Sequence, residues 1–166
     1  MKRVVFFLLF FAGVLSFVQA QRIAPNALGL RLGDSDGFGA EISYQRSLGA
    51  NNRLEADLGW RDNNNFDAFK LTGLYQWVMP LDGNFHWYVG AGGGVGAYDY
   101  DDDFSFNNDL DDDGTFLFVA GDIGIEYDFN IPLLLSLDFR PELGFGDFYD
   151  GDLDFDIALG IRYQFN

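Results

Sequence analysis

From Ala27 to Phe165, apolar and polar residues alternate with a period of two, and the alternation returns in eight successive segments. A period of two belongs to strands that show one apolar and one polar face. Leu28, Leu30 and Leu32 alternate with Gly29 and Arg31, and Phe38, Ala40, Ile42 and Tyr44 with Gly39, Glu41 and Ser43. Leu54 to Trp60 alternates with Glu55, Asp57 and Gly59. Phe69, Leu71, Tyr75 and Trp77 alternate with Lys70, Thr72 and Gln76, with Gly73 on the apolar side. Phe85, Trp87, Val89, Ala91 and Val95 oppose His86, Tyr88, Gly90, Gly92, Gly94 and Gly96. Leu117, Val119, Ile123, Ile125 and Tyr127 oppose Asp122, Gly124 and Glu126, and Leu135, Leu137, Phe139 and Leu143 oppose Ser136, Asp138, Arg140 and Glu142. The last segment is the clearest, with Leu153 to Phe165 apolar at every odd number. Each segment runs to about ten residues, the length with which a tilted strand crosses a bilayer.

The connections sort into two kinds. Gly49-Ala50-Asn51-Asn52, Pro80-Leu81-Asp82-Gly83-Asn84 and Asn130-Ile131-Pro132 are short and carry one acid. Asp34 to Gly37, Asp62 to Asp67, Asp99 to Gly114 and Gly146 to Asp152 are acidic. An even strand count puts both chain ends on one side, so all the acidic connections fall on the other. Short turns at one end and longer loops at the other is the layout of a membrane barrel.

Alternation alone does not say which face is outside. A soluble eight-stranded barrel of lipocalin type would turn its apolar face inward around a ligand. Two features favour the opposite. Aromatic residues of the apolar face gather at strand ends: Tyr44, Trp77, Phe85, Trp87, Tyr127, Tyr163 and Phe165 by the short turns, and Phe38, Trp60, Phe69, Phe145 and Phe155 by the acidic loops. Rings at both edges of an aliphatic band match the interfacial girdles of a membrane barrel. The polar face, in turn, is rich in glycine and in opposite charges. Glycine is poor filling for a solvated strand face. It does leave room inside a narrow barrel for Arg31, Arg53, Arg61, Arg140 and Arg162 to reach Glu41, Glu55, Asp57, Glu126, Asp138 or Glu142, as buried charges require.

The start of the chain fits export. Lys2-Arg3 precedes an apolar run from Val4 to Val18 and then Gln19-Ala20, the composition of a cleavable secretory signal. The run is short for a membrane helix, which needs roughly 20 residues. Residues 1–20 are therefore expected to be a signal peptide and 21–166 the barrel domain. No cysteine is present, which excludes a disulfide framework and a lipidated cysteine. The formal charge of −16 becomes more negative once Lys2 and Arg3 leave with the signal. So acidic a chain repels nucleic-acid phosphates, and its abundance of rings argues against disorder.

At this point the chain resembles the small OmpA/OmpX-type outer-membrane barrels along its mature length. The carriers are Tyr88-Val89-Gly90-Ala91-Gly92-Gly93-Gly94-Val95-Gly96 and Ile157-Ala158-Leu159-Gly160-Ile161-Arg162-Tyr163-Gln164-Phe165. The resemblance implies an all-β, eight-stranded antiparallel up-and-down transmembrane barrel in the outer membrane of a Gram-negative bacterium, surrounded by outer-membrane lipids. Such families usually end on an aromatic residue; here Asn166 follows Phe165.

Catalytic candidates are few. The one histidine, His86, lies at a turn-side strand end on the polar face, and the pattern places no serine beside it for nucleophilic chemistry. No catalytic residue is assigned, and the expected role is non-enzymatic: a monomeric barrel anchoring acidic loops for envelope integrity, adhesion or an extracellular partner. In the loop from Asp99 to Gly114, Asp109, Asp111, Asp113 and Gly114 match the first half of a calcium loop. Ala120 stands where its bidentate Glu would be. Asp109, Asp111 and Asp113 are thus candidate ligands for calcium or another divalent cation, against the alternative of a merely solvated loop. Gly90, Gly92, Gly94 and Gly96 share the inner face. Close packing against arginines opposite is the favoured reading there, and a narrow polar channel for small solutes the alternative.

Overall fold

A computed structural model describes residues 23–33, 39–63, 66–99, 114–146 and 153–166. The expected leader, Phe38 and the aspartates at 109, 111 and 113 lie outside them. The alternating segments form eight strands: β1 (Asn26–Leu32), β2 (Ala40–Ser47), β3 (Asn52–Asn63), β4 (Phe66–Asp82), β5 (Phe85–Asp99), β6 (Gly114–Asp128), β7 (Leu133–Gly146) and β8 (Leu153–Phe165). Each pairs antiparallel with its sequence neighbours, and β1 pairs with β8 to close the barrel. Closure gives every strand two partners, so no edge is left unpaired.

The stagger follows from the register. Partners traced once round from Tyr163 run through Leu28, Tyr44, Ala56, Gly73, Gly93, Val119 and Leu143, and return to β8 at Leu153. Such a shear tilts the strands against the barrel axis and sets a bore that side chains can fill.

Two connections differ from expectation. Asp62 to Asp67 reads as a loop by composition, yet Asp62 pairs with Asp67 and Asn63 with Phe66. The hairpin continues because the ladder satisfies the backbone of these residues whatever their side chains. At the other end β4 runs on to Asp82, with a register shift between Pro80 and Asp82 where proline has no N–H to give. Gly83 then takes a positive φ of 55° to turn the chain into β5. A third irregularity lies mid-wall. The β6–β7 pairing stops after Ala120–Glu142 and resumes at Ile123–Phe139, across from Pro141.

Candidate functional site

The alternation settles which face is which. Leu28, Leu30, Ile42, Leu58, Leu71, Ile123, Leu137, Ile157 and Leu159 are exposed on the outer wall, while Arg31, Ser43, Asp57, Thr72, Asp122, Asp138 and Ala158, which alternate with them, are buried. On the turn side Trp77, Phe85, Trp87, Tyr163 and Phe165 are exposed, with Tyr44 and Tyr127 half-buried; on the loop side Trp60, Phe69, Phe145 and Phe155 are exposed. Several rings meet edge-on or stacked, among them Tyr75 with Trp77, Phe85 with Tyr127, and Phe139 with Phe155. An apolar belt with aromatic margins on the outside, and charge inside, inverts the plan of a soluble protein.

The lumen is the charged site that the sequence foretold, and it is filled. Arg31 bridges three acids: Nη1 lies 3.0 Å from Glu41 Oε2 and 2.6 Å from Asp156 Oδ2, and Nη2 2.5 Å from Asp138 Oδ1. Arg140 Nη2 donates to Asp57 Oδ2 at 2.8 Å and Glu55 Oε1 at 3.0 Å. Arg162 reaches Glu55 Oε2 at 3.2 Å and donates to the hydroxyls of Ser43 and Ser136. Arg53 Nη1 lies 2.8 Å from Glu126 Oε2, its Nε donates to Gln76 Oε1 at 2.6 Å, and its guanidinium stacks 4.8 Å from the Tyr88 ring centroid. All four arginines are 1% exposed or less. The links from Arg31 to Asp138, Arg53 to Glu126, Arg140 to Asp57 and Arg162 to Glu55 join strands that are not neighbours in the sheet, so they cross the bore.

Two lumenal partners were not singled out in the sequence. Lys70 sits 2.5 Å from Glu142 and 4.8 Å from the Phe118 ring centroid, and Asp156 is the third acid of Arg31. The alternation had put both on the inner face, but the Lys70 partner lies across the bore and the Asp156 partner on β1, which meets β8 only through barrel closure. Asp122 differs from the other buried acids: its Oδ2 accepts from Gln76 Nε2 at 2.5 Å, and it forms no ion pair among the described residues.

The glycine face packs, but not against arginines. A methyl on Gly96 would overlap the Phe116 ring, and one on Gly94 the Phe118 ring and the backbone of Leu71. Gly90 makes space for Gln76 and Asp122, Gly92 abuts the backbone of Gly73, and Gly124 seats Tyr88. Phe116, Phe118, Leu74 and Ala120 form a buried apolar cluster with Tyr98 against it. Rings therefore sit on the inner side of this glycine row, against Gly94 and Gly96.

His86 lies at the turn-side end, half-buried, in a small cavity of about 20 Å³ with Gln45, Glu126, Asp128 and Gln164. That space suits about one water, and no serine lines it. Among the described residues no three His, Asp or Glu side chains are grouped to hold a metal ion.

No family model matches the sequence, and no curated protein does. Solved structures do match. Neisserial surface protein A aligns over 84% of this chain and 94% of its own, at 14% identity and a TM-score of 0.59. The N-terminal β-barrel domain of Pseudomonas aeruginosa OprF aligns over 84% and 96%, at 13% identity and a TM-score of 0.62. A barrel from the de novo design of transmembrane β-barrels aligns over 89% of this chain and 100% of its own, at 16% identity and 0.51. At such identities the likeness is one of fold. With its eight-stranded closure, outward apolar belt and ion-paired lumen, the chain has the fold of the small OmpA/OmpX-type outer-membrane β-barrels.

Proposed function

We propose that this protein is a non-enzymatic barrel of a Gram-negative outer membrane. It is exported by residues 1–20, surrounded by outer-membrane lipids, and serves as a monomeric anchor for acidic extracellular loops. The loops would act in envelope integrity, adhesion or contact with an extracellular partner. The observation that carries the anchoring role is the filled lumen. Arg31, Arg53, Arg140 and Arg162 cross it in ion pairs, and Phe116 and Phe118 occupy the room left by Gly96 and Gly94. Opening a path would break several buried charge contacts at once, each costly to leave unpaired. A lumen packed in this way supports an anchor over a channel for small polar solutes.

The same reading keeps Asp109, Asp111 and Asp113 as weak ligands for calcium or another divalent cation, since they supply oxygens at alternate positions before Gly114. Recording single channels from the refolded barrel in planar bilayers tests the anchoring role. The expected result is no stable conductance step; regular steps from the wild-type chain would favour the channel.

A further inference from the structure

Arg31, Arg53, Lys70, Arg140 and Arg162 are buried in the lumen. Arg46 is exposed, and among the described side chains it is the one lysine or arginine on the outer wall. The alternation of β2 sets it in the row of Ile42 and Tyr44, three residues before the first short turn at Gly49. Across the sheet it pairs with Asn26 of β1 and Leu54 of β3, and Asn26 pairs in turn with Phe165 of β8.

The surroundings hold the guanidinium without neutralising it. Arg46 Nη1 donates to Asn26 Oδ1 at 3.2 Å, and the same oxygen accepts the Tyr44 hydroxyl at 2.8 Å. Asn26 is its one protein acceptor among the described residues, and no carboxylate pairs with it. A guanidinium has five N–H donors, so most of its bonding capacity is left for a group outside the protein. In a chain of formal charge −16, a cation without an acidic partner is conspicuous. Beside it opens a cleft of about 520 Å³ lined by Pro25, Arg46, Ser47 and Gly49. Leu48, Leu54 and Phe165 are exposed around it.

An arginine in a lipid-facing row is costly at the bilayer centre and tolerated at the interface, where its head meets phosphate and its stem covers apolar wall. We propose that Arg46, oriented by Asn26 and Tyr44, binds the phosphate of an anionic glycerophospholipid in the leaflet on the turn side. The lipid's chains would lie against Leu54 and its neighbours. The proposal rests on the barrel being inserted in a membrane.

The test uses the full mature barrel in phosphatidylcholine nanodiscs, with a rising mole fraction of phosphatidylglycerol. The readout is the side-chain Nε–H resonance of Arg46 together with the backbone amides of Asn26, Ser47 and Gly49. The attraction of one interfacial arginine to an anionic lipid corresponds to a preference of roughly fivefold. The shifts should therefore saturate, half-complete well below an equal mixture. In Arg46→Gln the three amides should no longer respond.

Shifts that grow in proportion to the phosphatidylglycerol fraction would mean bulk surface charge and overturn the site. An unchanged amide response in Arg46→Gln would remove Arg46 from it. Inorganic phosphate reproducing the shifts would mean a soluble anion in place of a lipid. A chain that fails to insert, migrating identically on gels before and after boiling, would refute the membrane barrel itself and is read before any titration.

Discussion

Arg140→Met removes one cation from the centre of the lumen, and the structure says which acid is stranded. Arg140 serves Asp57, Glu55 and, at 3.7 Å, Glu41. Glu55 keeps Arg162 at 3.2 Å and Glu41 keeps Arg31 at 3.0 Å. Asp57 loses its one ion pair among the described residues, at a position that is fully buried. Breaking a buried pair from one side costs about 3–5 kcal/mol, because the uncompensated charge remains. Neutralising that charge in the double variant Arg140→Met/Asp57→Asn should recover about 1–3 kcal/mol of the loss, the coupling expected of residues in one network. Asp122→Asn is the comparator. Gln76 can still donate to the amide oxygen and no ion pair is lost, so its cost should stay below about 1 kcal/mol. Urea unfolding of the barrel in lipid vesicles, followed by the fluorescence of Trp60, Trp77 and Trp87, measures all four chains. An Arg140→Met barrel within about 1 kcal/mol of wild type, or an Asp57→Asn change that adds a full second penalty, would refute this account of the lumen.

The outer wall should respond to charge and the lumen to volume. Leu137 and Leu159 face each other across β7–β8 and are 51% and 44% exposed. Leu137→Arg and Leu159→Arg should each cost about 2–4 kcal/mol by the same unfolding assay. Gly96→Leu drives a side chain into the Phe116 ring and should cost about 1–3 kcal/mol or more. Gly49→Ala meets nothing within 4 Å and should be close to neutral in the same vesicles. For Asp109, Asp111 and Asp113, calorimetric calcium titration of the refolded barrel should give a dissociation constant of about 10⁻⁴ to 10⁻³ M. That heat should vanish in Asp111→Asn/Asp113→Asn; a response that sodium reproduces would leave only screening.

The strands, their order and the inward charges were legible because a period of two carries its own phase wherever polar and apolar residues alternate. Phase fails where a segment is apolar throughout. Phe116-Leu117-Phe118-Val119-Ala120 offers no contrast, so the inward placing of Phe116 and Phe118 follows only by counting back from Asp122. Leu74, between Gly73 and Tyr75, is hidden in the same way. This is why the glycine face read as room for arginines and turned out to seat rings.

Ion-pair partners were legible in kind but only partly in pairing. Arg31 with Glu41 follows from cross-strand register. Arg31 with Asp138, or Lys70 with Glu142, depends on which strands oppose one another across the closed bore. The Asp62–Asp67 hairpin was missed because composition reports what side chains prefer, and there the backbone ladder decides.

In a membrane-inserted barrel, lipid meets the odd-numbered face of β8 and the even-numbered face looks into the lumen. Methyl-labelled barrel in otherwise deuterated lipid nanodiscs, with acyl-chain methylenes left protonated, tests it by nuclear Overhauser contacts. Ile157, Leu159 and Ile161 are exposed on the wall, whereas Ala158, Leu74 and Leu134 are buried inside. Acyl contacts are expected to the first three methyl sets and none to the second three. Acyl contacts at Ala158 and Leu74, with Ile157 and Ile161 silent, would mean that the faces are reversed.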